Sequence, residues 1–280
     1  MKGKFQGIFI ASDFDGTMTA DGSVIPKKNI EAVDYFIKNG GIFSLSTGRS
    51  LHSISRRKSE FPSNGPVICC NGALIYDAEK QKILRSWGMD KNILKIASEV
   101  MNDFPDIGIE GMYDFEMFLI KKDKINANHI EYEEIPNEEV SVDKITAPLQ
   151  KLLFTGPAER IALLDPYLRA KEGFDYTILY SSPRFLEVMP VGINKGTGLL
   201  NAAEILKINH ENTYAIGDYL NDYHAIKMAG TGVVPENAAS EIKEIADVIV
   251  CDHNEGAVAD LIEYIDGKLT AAFDNDMITL

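Results

Sequence analysis

Two carboxylates two residues apart, Asp13 and Asp15, follow the apolar run at residues 8–11. Side chains alternate along a strand, so this spacing directs both carboxylates to the same side of an extended segment. Gly16 permits a sharp turn after them, and the Thr17 hydroxyl can hydrogen-bond its neighbours. Such a pair can divide labour, because one Asp can attack an electrophile while the other moves a proton. The alternative is a strand end followed by an ordinary Asp-Gly turn.

Hydroxyl side chains and a glycine follow a second apolar run, at residues 41–45. Ser46, Thr47 and Gly48 come directly after it. Free backbone N–H groups collect where a strand leads into a helix, and such a junction suits an oxyanion. The alternative is that one hydroxyl simply caps the helix, which is the commoner role for these residue types.

Charged residues also stand at two later junctions. Lys195 begins the helical pattern of residues 199–206, where the positive end of the helix dipole disfavours a cation. This placement favours a functional lysine over a solvated one. Asp218 and Asp222 lie four residues apart after a third strand pattern, and hard oxygen ligands at this spacing suit Mg²⁺. Both acids could instead cap the helix that follows.

All these segments follow predicted strands, and open α/β sheets bind ligands at the edge where the carboxyl ends meet. The set resembles the haloacid dehalogenase-like (HAD) superfamily of phosphohydrolases. Its four motifs resemble, in order, residues 13–17, Thr47, Lys195 and residues 217–222. Further segments resemble its Cof-type phosphatases, which carry a large C2-type α/β cap: residues 71–73, 186–190, 195–196, 236–238 and 254–258.

The resemblance implies a Mg²⁺-dependent phosphatase that hydrolyses small phosphate monoesters, such as sugar phosphates, through an aspartyl-phosphate. Asp13 would be the nucleophile. Asp15, held partly protonated by acidic surroundings, would act as acid and then base. The phosphoryl group would be bound by Thr47, Gly48, Lys195 and Asn221. Mg²⁺ would be held by Asp13, the backbone carbonyl of Asp15, Asp218 and Asp222.

Two other functions stay open at this point. A sugar phosphomutase could pass the same phosphoryl group back to its sugar, whereas a phosphatase releases free phosphate. A non-catalytic phosphometabolite-binding protein would have no need of Asp15. Three residues have no settled role: Arg49 could face phosphate or form an ion pair, and Tyr219 and His224 depart from the family pattern.

The chain has 280 residues and a formal net charge of −14 at pH 7. Such a charge repels nucleic acid and anionic membranes, so neither is an expected partner. The small phosphorylated metabolite that the resemblance implies is itself an anion, so the divalent cation and Lys195 must reverse the sign of the charge locally. No apolar run approaches the ~20 residues that span a bilayer, and no signal-peptide pattern is evident. Cys69, Cys70 and Cys251 are too few for a disulfide framework, and free thiols fit the cytoplasm. We expect a cytoplasmic monomer or small homo-oligomer.

Strand and helix patterns alternate at both ends of the chain, which predicts an α/β fold with a Rossmann-like, doubly wound, mostly parallel sheet as its core. This alternation of strand and helix patterns is interrupted in the middle of the chain, which predicts an inserted α/β cap. The expected division is 1–84 for the first part of the core, 85–189 for the cap, and 190–280 for the second part. Hinges are expected near residues 84–87 and 189–192. The expected strands are 8–11, 42–45, 67–70, 73–76, 82–84, 107–109, 117–120, 151–155, 176–180 and 184–189, the last returning to the core.

Overall fold

The computed structural model describes residues 3–133 and 135–278. In this part of the chain the strands are β1 (Phe9–Ser12), β2 (Ile42–Leu45), β3 (Val67–Cys69), β4 (Leu74–Asp77), β5 (Lys82–Ser86), β6 (Gly108–Tyr113), β7 (Glu116–Lys121), β8 (Lys151–Thr155), β9 (Tyr176–Ser182), β10 (Phe185–Pro190), β11 (Thr213–Ile216), β12 (Thr231–Pro235) and β13 (Val248–Val250). The helices are α1 (Lys27–Lys38), α2 (Leu51–Arg56), α3 (Asn92–Asp103), α4 (Asn126–Glu133), α5 (Ala158–Arg169), α6 (Lys195–Leu206), α7 (Tyr223–Met228), α8 (Ser240–Lys243) and α9 (Ala257–Ile278). Across these described ranges, none of the helices combines the length and the apolar character that crossing a bilayer requires.

The first sheet has the strand order β13-β12-β11-β1-β2, and every neighbouring pair is parallel. Ser46 forms a parallel bridge to Ile68, which connects this sheet to the antiparallel strands β3, β4 and β5. Because all five strands run the same way, the loops that follow β1, β2 and β11 meet at one edge. The predicted parallel α/β core is confirmed.

Helices cover both faces of the parallel sheet because successive residues of β1 point to opposite sides. Ile10 packs in a cluster with Val33 of α1 and Leu261 of α9. Phe9 packs in another cluster with Leu199 of α6. The sheet is therefore doubly wound, as the alternating pattern predicts.

The second sheet is antiparallel, has the order β7-β6-β8-β10-β9, and draws all its strands from residues 108–190. One of its faces packs against α3 and α5, where Ile109 and Phe154 meet Val100 and Leu164. Residues of the opposite face, such as Leu153, belong to the main cluster of the first sheet instead. This second face therefore lies toward the core.

The last strand expected in the cap, 184–189, is the one from which the chain goes back to the core. It forms β10, which pairs with β8 on one side and β9 on the other. Antiparallel hydrogen bonding on both edges keeps it in the second sheet, and the chain leaves only after Pro190. The C-terminal tail at 269–280 carries no interpretable sequence pattern; within the described residues, α9 continues through Ile278, and residues 279–280 lie outside them.

We expect Ile10→Ala to lower the free energy of unfolding by about 2–5 kcal/mol, since Ile10 is fully buried at the centre of the first sheet. Ile249→Ala, at an edge-strand position that is 55% exposed, should cost less than about 1 kcal/mol. Urea unfolding followed by the fluorescence of Trp87, the chain's single tryptophan, measures both. Equal losses in the two variants would contradict this assignment of the core.

Candidate active site

Side chains from three parallel strands and one helix start converge at the carboxyl edge of the first sheet. The Asp13 N–H donates to the Ile216 carbonyl over 2.8 Å, which ties the end of β1 to the end of β11. The Thr47 N–H donates to the Ile68 carbonyl over 2.8 Å and holds the loop after β2 beside β3. The residues singled out in the sequence are thus brought together by the sheet's backbone.

Lys195 is fully buried at the start of α6 and touches two carboxylates. Its Nζ lies 2.6 Å from Asp13 Oδ1 and 2.7 Å from Asp222 Oδ1. Burial by itself would lower the pKa of Lys195, but the attraction of Asp13 and Asp222 overrides it and raises the pKa. The ammonium is therefore charged, and its unusual position at a helix N-terminus is explained by these two partners.

Three carboxylates crowd around this ammonium: oxygen atoms of Asp13, Asp218 and Asp222 all lie within 4.8 Å of one another. Burial raises the pKa of Asp13 well above its usual value, with Lys195 opposing and the neighbouring acids reinforcing the shift. Burial and the charge of Asp222 raise the pKa of Asp218 to about 6. Because these groups resist being charged together, the site suits a divalent cation, and oxygen ligands of this kind suit Mg²⁺.

Two glycines allow the acidic loops to approach this closely. Gly16 has φ of +74°, and a Cβ at this position would lie 2.6 Å from Asp218 Oδ2. A Cβ on Gly217 would lie 2.2 Å from the Asp222 carboxyl carbon. The Thr17 hydroxyl also donates to Asp218 Oδ1 over 3.0 Å. The glycines and the threonine that the sequence places beside the acids thus serve their packing.

Asp15 has a neighbour of the opposite sign from the one expected. We expected acidic surroundings, but its two carboxylate oxygens accept hydrogen bonds from Arg49 Nε and Nη2, each over 2.7 Å. Asp15 is half-exposed, whereas the Arg49 side chain is 8% exposed. Of the two roles left open for Arg49, the structure shows the ion pair. Strand order brings the loop after β2 beside the loop after β1, so Asp15 has a basic partner in addition to its acidic neighbour Asp13.

A cavity of about 490 Å³ opens above these groups. The predicted site residues that line it are Asp13, Asp15, Thr47, Gly48, Asp218 and Asn221. Lys195 contacts one of these lining residues, Asp13, and Asp222 in turn contacts Lys195. Tyr219 also lines the cavity, while His224 lies in α7 with its ring edge-to-face against Tyr223.

The core-facing side of the second sheet forms the opposite wall, which we call the roof. The residues that line the cavity from it are Met112, His129, Lys151, Leu153, Ser181, Ser182, Phe185 and Glu187. Sequence reasoning assigned no role to any of them. A signal was present, because Lys151 and Glu187 are charged residues in strands that are otherwise largely apolar.

A buried carboxylate orients one of these roof residues. Glu110 is fully buried on β6, and its Oε2 lies 2.8 Å from Nδ1 of His129. A carboxylate accepts hydrogen bonds, so Nδ1 carries the proton and Nε2 is the ring nitrogen left for another partner. Within the described residues, Glu110 Oε1 has no hydrogen-bond partner. The buried Glu110 carboxylate therefore fixes the orientation of the His129 ring.

Comparison with known proteins agrees with the geometry. A sequence model of the haloacid dehalogenase-like hydrolases matches residues 10–262. The chain is 29% identical over 271 residues to 5-amino-6-(5-phospho-D-ribitylamino)uracil phosphatase YcsE of Bacillus subtilis strain 168, covering 91% of this chain and 94% of that protein. It is 26% identical over 275 residues to the chloroplastic endoribonuclease YBEY of Arabidopsis thaliana, of which it spans 46%. A solved haloacid dehalogenase-like hydrolase from Bacteroides thetaiotaomicron is 27% identical, with a TM-score of 0.81 and coverage of 92% of this chain and 99% of that one.

We expect Mg²⁺ to raise the melting temperature of the wild type, because a ligand bound only by the folded state adds about 2.7 kcal/mol at a hundred times its Kd. Asp218→Asn should lose most of this response. Without metal it should melt higher than the wild type, since one of three crowded carboxylates is gone. Asp143→Asn, at an exposed position, should behave as the wild type does. Thermal melts with Mg²⁺, with Ca²⁺ and with chelator measure this; an undiminished Mg²⁺ response in Asp218→Asn would remove that residue from the metal site.

Proposed function

The chain belongs to the haloacid dehalogenase-like hydrolase family, as a phosphatase of the Cof type, and from this premise we propose its reaction and substrate class. The proposed reaction is Mg²⁺-dependent hydrolysis of small phosphate monoesters through an aspartyl-phosphate on Asp13. The observation that carries the proposal is the position of Asp13, which faces the cavity with Lys195 Nζ 2.6 Å away and with Asp218 and Asp222 beside it.

Asp13 would attack the phosphorus atom in line with the leaving oxygen. A bond forms between an Asp13 carboxylate oxygen and phosphorus while the bond from phosphorus to the leaving oxygen breaks. Lys195 keeps the nucleophile in place and offsets its negative charge, so a carboxylate is available to approach an anionic ester. Thr47, Gly48, Lys195 and Asn221 would bind the non-bridging phosphoryl oxygens.

Asp15 would move the protons of both half-reactions. It would donate a proton to the leaving alkoxide, and then accept one from the water that hydrolyses the aspartyl-phosphate and regenerates Asp13. In the structure both Asp15 carboxylate oxygens accept hydrogen bonds from Arg49, which fixes the direction in which the carboxylate faces. A proton on either oxygen would displace one of these bonds, so Arg49 would have to release that oxygen before Asp15 acts as the acid.

Mg²⁺ would be held by Asp13, the Asp15 backbone carbonyl and Asp218, with Asp222 as a direct or outer ligand. When bound, the ion neutralises the repulsion between a carboxylate and a phosphate dianion. Burial first, and then the neighbouring acids, raise the pKa values of Asp13 and Asp218. A bound dication would balance the negative charge that these acids bring together.

We further propose that residues 85–189 form the cap and select the leaving group, with hinges near 84–87 and 189–192. The second sheet supports this division, and Gly192 with φ of +71° supports a bend where the chain returns. A roof above a cavity of about 490 Å³ suits small metabolites, with sugar phosphates first and nucleotide or cofactor phosphates next. One relative of similar length is named for a small phosphorylated ribityl compound, which agrees with this size class.

The free thiols of Cys69, Cys70 and Cys251 support a cytoplasmic location. The acidic net charge of −14 disfavours nucleic acid and anionic membranes as partners, which leaves a metabolite as the proposed partner. The enzyme would act as a monomer or a small homo-oligomer.

We expect Asp13→Asn to lose turnover by several powers of ten while it remains folded, because an amide cannot form the aspartyl-phosphate. Release of inorganic phosphate from a sugar phosphate measures this, with circular dichroism as the check on folding. Asp143→Asn serves as the matched control and should keep wild-type activity. Near-normal release by Asp13→Asn would refute the proposed nucleophile, and stoichiometric release by the wild type distinguishes hydrolysis from mutase chemistry.

We expect several small sugar phosphates to be hydrolysed, and a phosphopeptide to be excluded by the roof. In His129→Ala, kcat/KM for the better sugar phosphates should fall about 10- to 200-fold, since one hydrogen bond to a leaving group is worth ~1–3 kcal/mol. The leaving group of p-nitrophenyl phosphate has no further hydroxyl for His129 to bind, so kcat/KM for this substrate should change little. His210→Ala, at an exposed histidine, should match the wild type. Preference for the phosphopeptide, or equal losses on every substrate in His129→Ala, would contradict this view of the roof.

A further inference from the structure

Two segments that resemble the Cof-type family have no part in the chemistry described above, and they meet each other in the fold. Residues 71–73 follow β3 in the core, and residues 186–190 belong to β10 in the roof. Asn71 Nδ2 donates a hydrogen bond to Glu187 Oε2 across the boundary between the two sheets. Asn71 is fully buried and Glu187 is 3% exposed, so this contact is closed to solvent.

Glu187 is also joined to the loop that would bind phosphate, residues 46–49. Its Oε1 accepts from the Ser181 hydroxyl over 2.6 Å and lies 3.3 Å from Lys151 Nζ. Lys151 Nζ in turn donates to the Gly48 carbonyl over 2.6 Å. The roof therefore contacts the core at two neighbouring points through one buried ion pair.

The donor and acceptor pattern of this network fixes two amide groups. A carboxylate only accepts, so Asn71 must turn its Nδ2 toward Glu187 and its Oδ1 away. That Oδ1 accepts from Asn221 Nδ2 over 3.2 Å. Asn221 must therefore keep its own nitrogen on this side, beside the cavity that it lines. The orientation of Asn221 thus depends on a residue of the roof.

Stability alone does not account for such an ion pair. Taking Lys151 and Glu187 out of water is costly, and buried pairs of this kind often contribute little to the free energy of unfolding. The Lys151 and Glu187 side chains are only 4% and 3% exposed. A second tight contact lies on the same path, because a Cβ on Gly48 would lie 3.1 Å from Asn71 Oδ1. The space around Asn71 leaves its amide little freedom.

We propose that Glu187 is a positioning residue for the phosphoryl-binding groups. Through Asn71 it sets the amide of Asn221, and through Lys151 it holds the carbonyl of Gly48, so these groups are in place when the roof is seated on the core. The inference rests on the proposed function, which places Asn221 and Gly48 at the phosphoryl group. It adds a distinct consequence: loss of Glu187 acts on phosphoryl binding, and so affects all substrates by the same factor.

An exchange of the two side chains tests the proposal. In E187Q the side chain at position 187 can itself donate a hydrogen bond, so the Asn71 amide can flip and turn its Oδ1 toward position 187. Asn71 then no longer accepts the hydrogen bond from Asn221. N71D sets two buried carboxylates against each other. In the double variant N71D/E187Q, the new carboxylate at position 71 can accept from both the new amide at position 187 and the amide of Asn221. The hydrogen bond between positions 71 and 187 is then reversed, but the Asn221 amide regains its original orientation.

We expect each single variant to lower kcat/KM about 10- to 100-fold, by one common factor for sugar phosphates and p-nitrophenyl phosphate, because small misplacements in a site have effects of this size. The Kd of inorganic phosphate, measured by calorimetry with Mg²⁺ present, should rise in parallel. The double variant should recover at least about tenfold in both quantities, a non-additivity that a double-mutant cycle detects. Asp143→Asn, at an exposed position outside this network, serves as the control and should change little.

The outcomes separate this inference from the proposed function. If the wild type releases no phosphate from any ester, the proposed function fails, and the phosphate Kd of the three variants still decides the inference. If the wild type is active and the single variants match it, the inference alone fails. It also fails if the double variant shows no recovery, or if the losses differ among substrates as they should in His129→Ala. Should E187Q not fold, N71D and the double variant give the same comparison.

Discussion

The pairing of the buried Lys195 ammonium with Asp13 and Asp222 is the interaction on which the rest of the site depends. These residues come from the start of α6, the end of β1 and the turn after β11, so one charge joins distant parts of the chain. A fully buried ammonium needs such partners, and two buried carboxylates need the ammonium. Removing either side would leave uncompensated charge in the core, typically a loss of about 3–5 kcal/mol. Sheet, helix start and acidic loops are therefore held in one arrangement.

The second sheet adds a constraint of a different kind. Its outer face is apolar and is covered by α3 and α5. Its inner face closes the candidate site and carries polar groups in pairs: the buried Glu110 with the half-buried His129 of α4, and the buried Lys151 with Glu187. Exclusion of water by this roof would strengthen every charge interaction beneath it. Polar groups beneath a roof that excludes water cannot bind water, so the roof must supply their hydrogen-bond partners.

Local pattern was enough for much of the fold. Strands β2 and β8 begin and end where their apolar runs predict. These elements follow from side-chain periodicity, which is a local property. The pairing of residues 184–189 with β8 and β9 was not predicted, because an apolar strand pattern does not state which neighbours a strand pairs with.

The sequence by itself determined which residues are the candidates for the reacting groups. Asp13, Thr47, Lys195 and Asp218 each follow a strand or begin a helix, and the carboxyl ends of parallel strands must share an edge. Only the tertiary structure decided the contacts that surround these residues: Arg49 with Asp15, His129 with Glu110, and Asn71 with Glu187. These contacts join residues 19 to 116 positions apart, and their existence depends on strand order, register and the seating of one sheet over another. No local spacing encodes such quantities, whereas burial and hydrogen-bond demand determine them once the chain has folded.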